Sequence, residues 1–357
     1  MPVTVVVGGQ YGSEGKGKMV SYLSCAASDP TSVVRCGGSN AGHTAQGFGQ
    51  TLRLRQVPSG VVNKNCSLYL AAGMVIDLPV LLAEIELTSL DPSRLRIDRN
   101  AIVMRQDDSN AEKHAGLRDR IGSTLSGTGF ATARKVLRQE GVDLARTVPQ
   151  LKGFISNVSE QINDAVDRGE HVIVEGTQGM GLSLHHADHY PYVTSRDTTA
   201  SAFLSDAGLA PALVTETILV LRTYPIRVAG KSGHMYLEIT WDDVRQRSGY
   251  PYPIAEYTTV TNALRRIGEF DWELAEQAVR LNRPTAIAIH GADYIDYLDY
   301  GKRDWTLLGA KSRAFIDEIE TRLNTIVGYV FTGPKEGQLI DRGVSAQTKI
   351  RRAVSVA

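Results

Sequence analysis

Three glycine-rich stretches hold the residues best suited to phosphate chemistry, and each follows a short apolar run. The first is GGQYGSEGKGKMVSYL, entered from the valine-rich residues 3–7, with a helical pattern that starts near Lys16. Glycines between a strand and a helix leave backbone amides exposed, and the helix amino terminus adds partial positive charge, so such a junction can face a phosphate. From Gly12 the spacing G-x-x-x-x-G-K is met at Gly17 and Lys18, but Met19 stands where a Walker loop carries the Ser or Thr that holds magnesium. An ordinary strand-to-helix turn with solvated lysines would use the same residues. A dinucleotide fingerprint is disfavoured, because no G-x-G-x-x-G follows the strand. The second stretch, CGGSNAGHT at 36–44, follows a short strand at 33–35 and sets Asn40 and His43 among flexible glycines. Alone it is weak evidence, since a loop histidine is commonly a surface residue. The third, VEGTQGMGLSL at 174–184, again places glycines at the end of a buried strand. Ligands bind there in α/β proteins, although a plain glycine-rich turn looks alike.

These loops need a rigid frame. Apolar runs at residues 3–7, 172–174, 218–221, 286–289 and 326–331 are rich in β-branched residues and end in Gly or Pro, as strands buried on both faces do. Helical patterns lie between them at 78–87, 154–166, 272–281 and 314–323. The alternation predicts an α/β fold: a large, mostly parallel central sheet with flanking helices and long functional loops. No internal repeat or low-complexity linker interrupts it, so residues 1–357 are read as one domain with loop and helical insertions. Residues 35–49, 122–129, 176–197 and 250–263 are poorly periodic and rich in Gly, Ser, Thr and His, the places where compact enzymes carry function.

Bulk composition narrows the partners. Among 357 residues, 42% hydrophobic and 22% charged, 39 basic side chains balance 39 acidic ones. There is no global field to hold a nucleic acid or an acidic membrane, so phosphate recognition must be local. Cys25, Cys36 and Cys66 fit neither a disulfide framework nor a zinc knuckle, which suits a reducing cytoplasm. The apolar residues 3–7 lack the basic flank and cleavage site of a signal peptide, and no stretch approaches the roughly 20 apolar residues of a membrane span.

Taken together and in order, GGQYGSEGKGK, GGSNAGHT, EGTQG, YPYVTSRDTTA and a late TGP resemble the adenylosuccinate synthetase family, from residue 4 to about residue 343. The compact length is similar to that of the shorter, archaeal-type members. The resemblance implies a carbon–nitrogen ligase in which a nucleoside triphosphate phosphorylates the 6-oxygen of a purine monophosphate, and the amine of L-aspartate then displaces phosphate. A ring carbonyl oxygen leaves poorly and a phosphorylated oxygen readily, so donor phosphate and purine must be held in line.

The site residues follow from the resemblance, position by position. Lys16 and the amides of Gly12, Glu14, Gly15 and Gly17 would cradle the phosphoryl group, with Lys18, Thr44, Asp293, Thr332, Gly333 and Pro334 completing the donor site. The carbonyl of Gly42 would touch Mg2+, Ser13 is the other metal position, and His43 would stabilise charge on the phosphates. Ser13, Lys16 and His43 are the implied catalytic positions. The acceptor nucleotide would rest on Ser13, Asn40, Ala41, Ser123, Thr124 and Thr194, with Gln178 near the nucleoside. Arg138 matches an arginine that reaches in from a second subunit, which implies a homodimer; its neighbours Arg134 and Lys135 are also basic, so a solvated helix position is the plain alternative. The aspartate loop would include Thr259, Val260, Thr261, Asn262 and Arg265, with Thr261 and Arg265 on the carboxylates.

Three departures matter. The family loop reads G-D-E-G-K-G-K, its Asp acting as base and metal ligand, and this chain has Ser13 there. A neutral hydroxyl cannot take up that proton unaided and is a weaker metal ligand than a carboxylate. Ala263 replaces an arginine that contacts the acceptor ribose and the incoming aspartate, removing a reason to prefer ribose over deoxyribose. His290, Gly291, Ala292 and Asp293 replace the T-K-L-D of members that use GTP, which opens the site to adenine-type donors. Together these changes look like the phage branch, the 2-aminoadenylosuccinate synthetases. The sequence reading is therefore a ligase joining L-aspartate to dGMP with ATP or dATP and Mg2+, for diaminopurine DNA in a phage, working in the host cytoplasm without nucleic acid or membrane. A conventional enzyme using IMP and GTP, a non-catalytic nucleotide-binding regulator and a switch-type hydrolase stand as alternatives. Water, the phosphate donor or a tautomeric route are open as ways to remove the ring proton.

Overall fold

Residues 3–7 are apolar without a break, so a strand made from them must be covered on both faces. The computed structural model, which describes residues 3–258 and 262–343, solves this with helices and loops on either side of a 10-stranded sheet. Val3, Val5 and Val7 enter one hydrophobic cluster while Val6 enters the other. The same alternation divides Leu219 and Leu221 from Ile218 and Val220, and Ile287 and Ile289 from Ala288.

In chain order the sheet strands are β1 (Val3–Gly8), β2 (Thr31–Arg35), β3 (Ser67–Leu70), β4 (Leu95–Asp98), β5 (Ile155–Ser156), β6 (His171–Glu175), β7 (Val214–Arg222), β8 (Ala286–His290), β9 (Val327–Phe331) and β10 (Leu339–Asp341). They lie in the order β10-β9-β8-β7-β1-β6-β2-β3-β4-β5. Every neighbouring pair is parallel except β9 with β10. Parallel pairing gathers the carboxyl ends on one edge. Register sets Glu175 opposite Arg35, Arg222 opposite His290, and Gly8 opposite Val220, so ionisable residues at the ends of four strands meet around the glycine loop.

Helix α1 (Lys16–Ala26) starts from Gly15, whose φ of 106° is a left-handed conformation that glycine adopts without penalty. The close approach matters too: a Cβ on Gly15 would lie 2.5 Å from the His290 ring, and one on Gly17 would lie 2.7 Å from the Thr44 carbonyl. No helix among the described residues is long and apolar enough to cross a membrane.

Several element boundaries differ from the sequence reading. Residues 35–49, expected as an aperiodic loop, contain the first strand of a hairpin, His43–Gly47 with Gln50–Leu54, whose alternating burial is a period-two pattern. The helix expected over 154–166 occupies Val158–Asp167. Its first residues pair with β4 instead: Ile97 donates to the Phe154 carbonyl at 2.8 Å, and Asp98 accepts the Val158 amide at 3.1 Å, holding the helix start from another strand. The last long helix is Ala310–Leu323, beginning earlier than 314 because Asp299 accepts the Gly309 amide and the Ser312 hydroxyl ahead of the periodic face. The short strands β3 and β4 lacked a distinguishing run in the sequence.

Candidate active site

The loop after β1 is fastened by side chains of the protein itself. Gln10 and Arg222 exchange two hydrogen bonds: the Gln10 side-chain amide donates to the Arg222 carbonyl at 3.1 Å, and the Arg222 amide donates to Gln10 Oε1 at 2.9 Å. Glu14, fully buried, turns inward, where its carboxylate accepts the amides of Gln10 and Gly12 at 3.1 and 2.8 Å and the Lys16 ammonium at 2.5 Å. Lys16 also donates to the Gln178 carbonyl. The Gly12 amide, expected to cradle the phosphoryl group, is therefore committed to Glu14. Ser13 has a φ of 61°.

The second and third glycine stretches meet over a buried polar network. Arg35 ends β2, Glu175 ends β6, and both are fully buried, with Arg35 Nη1 2.8 Å from Glu175 Oε1. Arg35 Nη2 donates to the Ala41 carbonyl at 2.9 Å, holding the turn that carries Asn40 and His43. His43 Nδ1 lies 2.5 Å from Glu175 Oε1. Burial and the Arg35 charge hold His43 well below the ordinary histidine range, so the ring is neutral. Burial opposes ionisation of Glu175, but the Arg35 charge and the bonds from His43 and Ser59 outweigh it and keep the carboxylate ionised.

A cavity of about 490 Å³ opens where these loops converge, within the range of nucleotide-sized sites. Of the sequence candidates, Gly12, Ser13, Lys16, Asn40, Ala41, Gly42, His43, Ser123, Thr124, Gln178 and Arg265 line it. Arg265 Nη1 donates to Ser13 Oγ, a contact between residues 252 positions apart. Gln178, in a left-handed conformation at φ 55°, donates to Asn40 Oδ1 at 3.3 Å, while its own Oε1 is buried without a partner.

The remaining expected donor residues lie beyond the cavity wall. Lys18 donates to the Pro334 carbonyl at 2.8 Å, tying α1 to the Thr332–Gly333–Pro334 turn, and burial pulls its pKa down to about 8 although Glu256 opposes this. His290 stacks on Phe331 at 3.7 Å with its Nε2 unpartnered, and burial, then Lys18 and Arg222, hold it neutral. The Asp293 carboxylate accepts the Tyr250 hydroxyl, and burial raises its pKa above the usual carboxylate range.

A family model described as adenylosuccinate synthetase matches residues 5–148 and 139–302. The chain belongs to the adenylosuccinate synthetase family. The adenylosuccinate synthetase of Methanocaldococcus jannaschii is 41% identical over 342 residues, 95% of this chain and 96% of the relative, and that of Methanococcus vannielii is 40% identical over 96% and 99%. Among solved structures, the succinoaminodeoxyadenylate synthetase of cyanophage S-2L, bound to dGMP and dATP as an energy donor, is similar with a TM-score of 0.81 and 30% identity over 99% of each chain. The fully ligated adenylosuccinate synthetase of Plasmodium falciparum shares the fold, with a TM-score of 0.83 at 21% identity over 96% of this chain and 100% of that one.

As a member of this family the chain is a carbon–nitrogen ligase, and its other predicted site residues can be placed against the cavity. Glu14, Gly15, Gly17, Lys18, Thr44, Asp293, Thr332, Gly333 and Pro334 do not line it. Thr194 is also outside; its amide donates to the carbonyl of the lining residue Leu182 at 2.8 Å. Arg138 is exposed just after the helix Thr128–Val136 and away from the wall. Asn262 is exposed, with its amide on the Thr258 carbonyl, and does not line the cavity either. Thr259, Val260 and Thr261 lie outside the described residues. The sequence reading missed Tyr11, Arg118, Asp119, Val228, Lys231 and Thr258 as wall residues. Arg118 and Asp119 sit on the short helix Leu117–Ile121 between left-handed Gly116 and Gly122, and that glycine pair was the available signal.

Proposed function

We propose that this family member joins L-aspartate to the 6-position of dGMP through a 6-phosphoryl intermediate, giving 2-amino-2'-deoxyadenylosuccinate. ATP or dATP is the donor, Mg2+ the cofactor, and diaminopurine DNA in a bacteriophage the destination. The observation that carries this reading is Ser13 on the cavity wall with Arg265 donating to its hydroxyl oxygen. Guanine differs from hypoxanthine by a 2-amino group. A hydroxyl oxygen has a second lone pair, so Ser13 can accept from that group while Arg265 holds it, and it takes less room than the family's Asp. Val228, Ala229 and Ala263 give the wall three positions without a polar side chain. A 2'-hydroxyl left unpartnered in a closed site costs about 1–3 kcal/mol, which favours deoxyribose. The cyanophage structure with dGMP and dATP supports the same acceptor and donor.

In the first step the donor's terminal P–O bond breaks as phosphorus bonds to O6 and the N1 proton leaves. In the second the aspartate nitrogen bonds to C6, the C6–O bond breaks, phosphate departs and the amine loses a proton. Lys16 and the start of α1 supply positive charge to the moving phosphoryl group. Mg2+ would neutralise donor phosphate charge, and a magnesium ion held mainly by phosphates and water needs few protein ligands. The Gly42 carbonyl on the wall fits that task; Ser13 fits it poorly while a guanidinium occupies its oxygen. A guanine donor needs a carboxylate free to accept from its N1 and 2-amino groups, and Asp293 is engaged with Tyr250. A conventional enzyme using IMP and GTP is the second reading, favoured by the 41% and 40% identities to archaeal adenylosuccinate synthetases.

Aspartate-dependent phosphate release with dGMP, GMP, dIMP and IMP, each offered ATP, dATP or GTP, separates these readings. We expect dGMP with ATP or dATP to be preferred. Turnover of IMP but not of dGMP would overturn the proposal, and nucleotide binding without aspartate-dependent release would identify a regulator.

A further inference from the structure

The glutamate of the EGTQG motif has no part in the chemistry above, yet its carboxylate is heavily engaged. Glu175 accepts from Arg35 Nη1 at 2.8 Å, from the Ser59 amide and hydroxyl at 2.8 and 2.5 Å, and meets His43 Nδ1 at 2.5 Å. Arg35 Nη1 also lies 2.9 Å from the same His43 nitrogen. A guanidinium can only donate, so that contact needs a lone pair on Nδ1, whereas contact with a carboxylate needs a hydrogen there. A neutral imidazole satisfies one of the two. The carboxylate wins: it is nearer, its bond is charge-assisted, and Arg35 Nη1 already donates to it. His43 Nε2, in turn, has no hydrogen-bond partner among the described residues and is not a buried atom, so in this cavity-lining residue it is open to the cavity.

We infer that Glu175 is a positioning residue for His43, fixing the Nδ1–H tautomer and the ring orientation so that the Nε2 lone pair faces the reacting groups. Nε2 is then the ring nitrogen presented to the cavity, and the Glu175 bond to Nδ1 fixes its direction. Arg35 serves the same end from two sides, neutralising the carboxylate and holding the Ala41 carbonyl next to the histidine turn. The inference rests on the proposed ligase chemistry only in that His43 acts on the reacting groups.

Glu175→Gln keeps the side-chain volume; with its carbonyl oxygen on the Ser59 amide, its NH2 stands at the Oε1 position and donates to His43 Nδ1. We expect kcat to fall on the order of 100-fold, with KM for acceptor and aspartate within about threefold. Nitrogen-15 NMR of the His43 ring in the full-length free protein should show hydrogen on Nδ1 in the wild type and a shift towards Nε2 in E175Q. A double-mutant cycle with His43→Asn adds a readout that a purely structural role would not produce: E175Q should cost about nothing further once the imidazole is gone. Glu175→Asp should recover part of kcat and the wild-type tautomer. An Nε2–H tautomer in the wild type, or an equal E175Q loss with and without His43, overturns the inference. Where E175Q melts out, E175D and the wild-type tautomer decide it. The kinetics use whichever acceptor the wild type prefers and the NMR needs none, so failure of the dGMP reading leaves a separate signature.

Discussion

Replacing Ser13 by Asp puts a carboxylate where the Arg265 guanidinium now donates to a neutral hydroxyl. Arg265 has two uses in the proposed cycle: it steadies Ser13, and it turns to the incoming aspartate. Releasing it from a neutral partner costs about 1 kcal/mol, and from an ionised one about 2–3 kcal/mol. The difference, about 1.4 kcal/mol, is a tenfold weaker hold on aspartate. The larger side chain also takes the room left beside a 2-amino group, so kcat/KM for dGMP should fall while IMP, which lacks that group, is affected less. The assay is phosphate release at varied aspartate with each acceptor saturating, and at varied acceptor with aspartate saturating. An unchanged KM for aspartate together with faster turnover of dGMP would refute both parts of the reasoning.

Other expectations follow from the same contacts. Lys16→Ala should abolish turnover, because Lys16 is the first residue of α1 and lines the cavity; unchanged activity would remove its phosphoryl role. Tyr250→Phe frees the Asp293 carboxylate, and the ratio of kcat/KM for GTP over ATP should rise several-fold, on the order of one lost hydrogen bond; a constant ratio would show that Asp293 does not sense the donor base. Both His43 and Glu175 have folded pKa values depressed below their ordinary 6.5 and 4.5, so their contribution to stability is present above those values and is lost on acidification. Urea midpoints should therefore drop between about pH 7 and pH 4, first through His43, and His43→Asn should flatten the upper part of that fall. A midpoint that stays level across this range in the wild type would contradict the buried neutral ring.

The residues that act through neighbours in the chain were legible in the amino-acid sequence. Val3 to Val7 followed by glycines and Lys16 specify a buried strand, a turn and a helix start, because these depend on a few consecutive backbone conformations. The stretch after Glu175 was legible as a loop at the end of a buried strand for the same reason. Roles that depend on contacts between distant segments were not. Glu14 was expected through its amide, and its carboxylate instead braces the loop; Glu175 meets a histidine 132 positions away, and Arg265 reaches a serine 252 positions away. Nor does spacing along the chain order the strands, so the meeting of Arg35, Glu175, Arg222 and His290 at one sheet edge was decided by parallel register. Local sequence sets which conformations each segment favours; which side chains face each other depends on burying both faces of the sheet at once, a condition only the whole chain can meet.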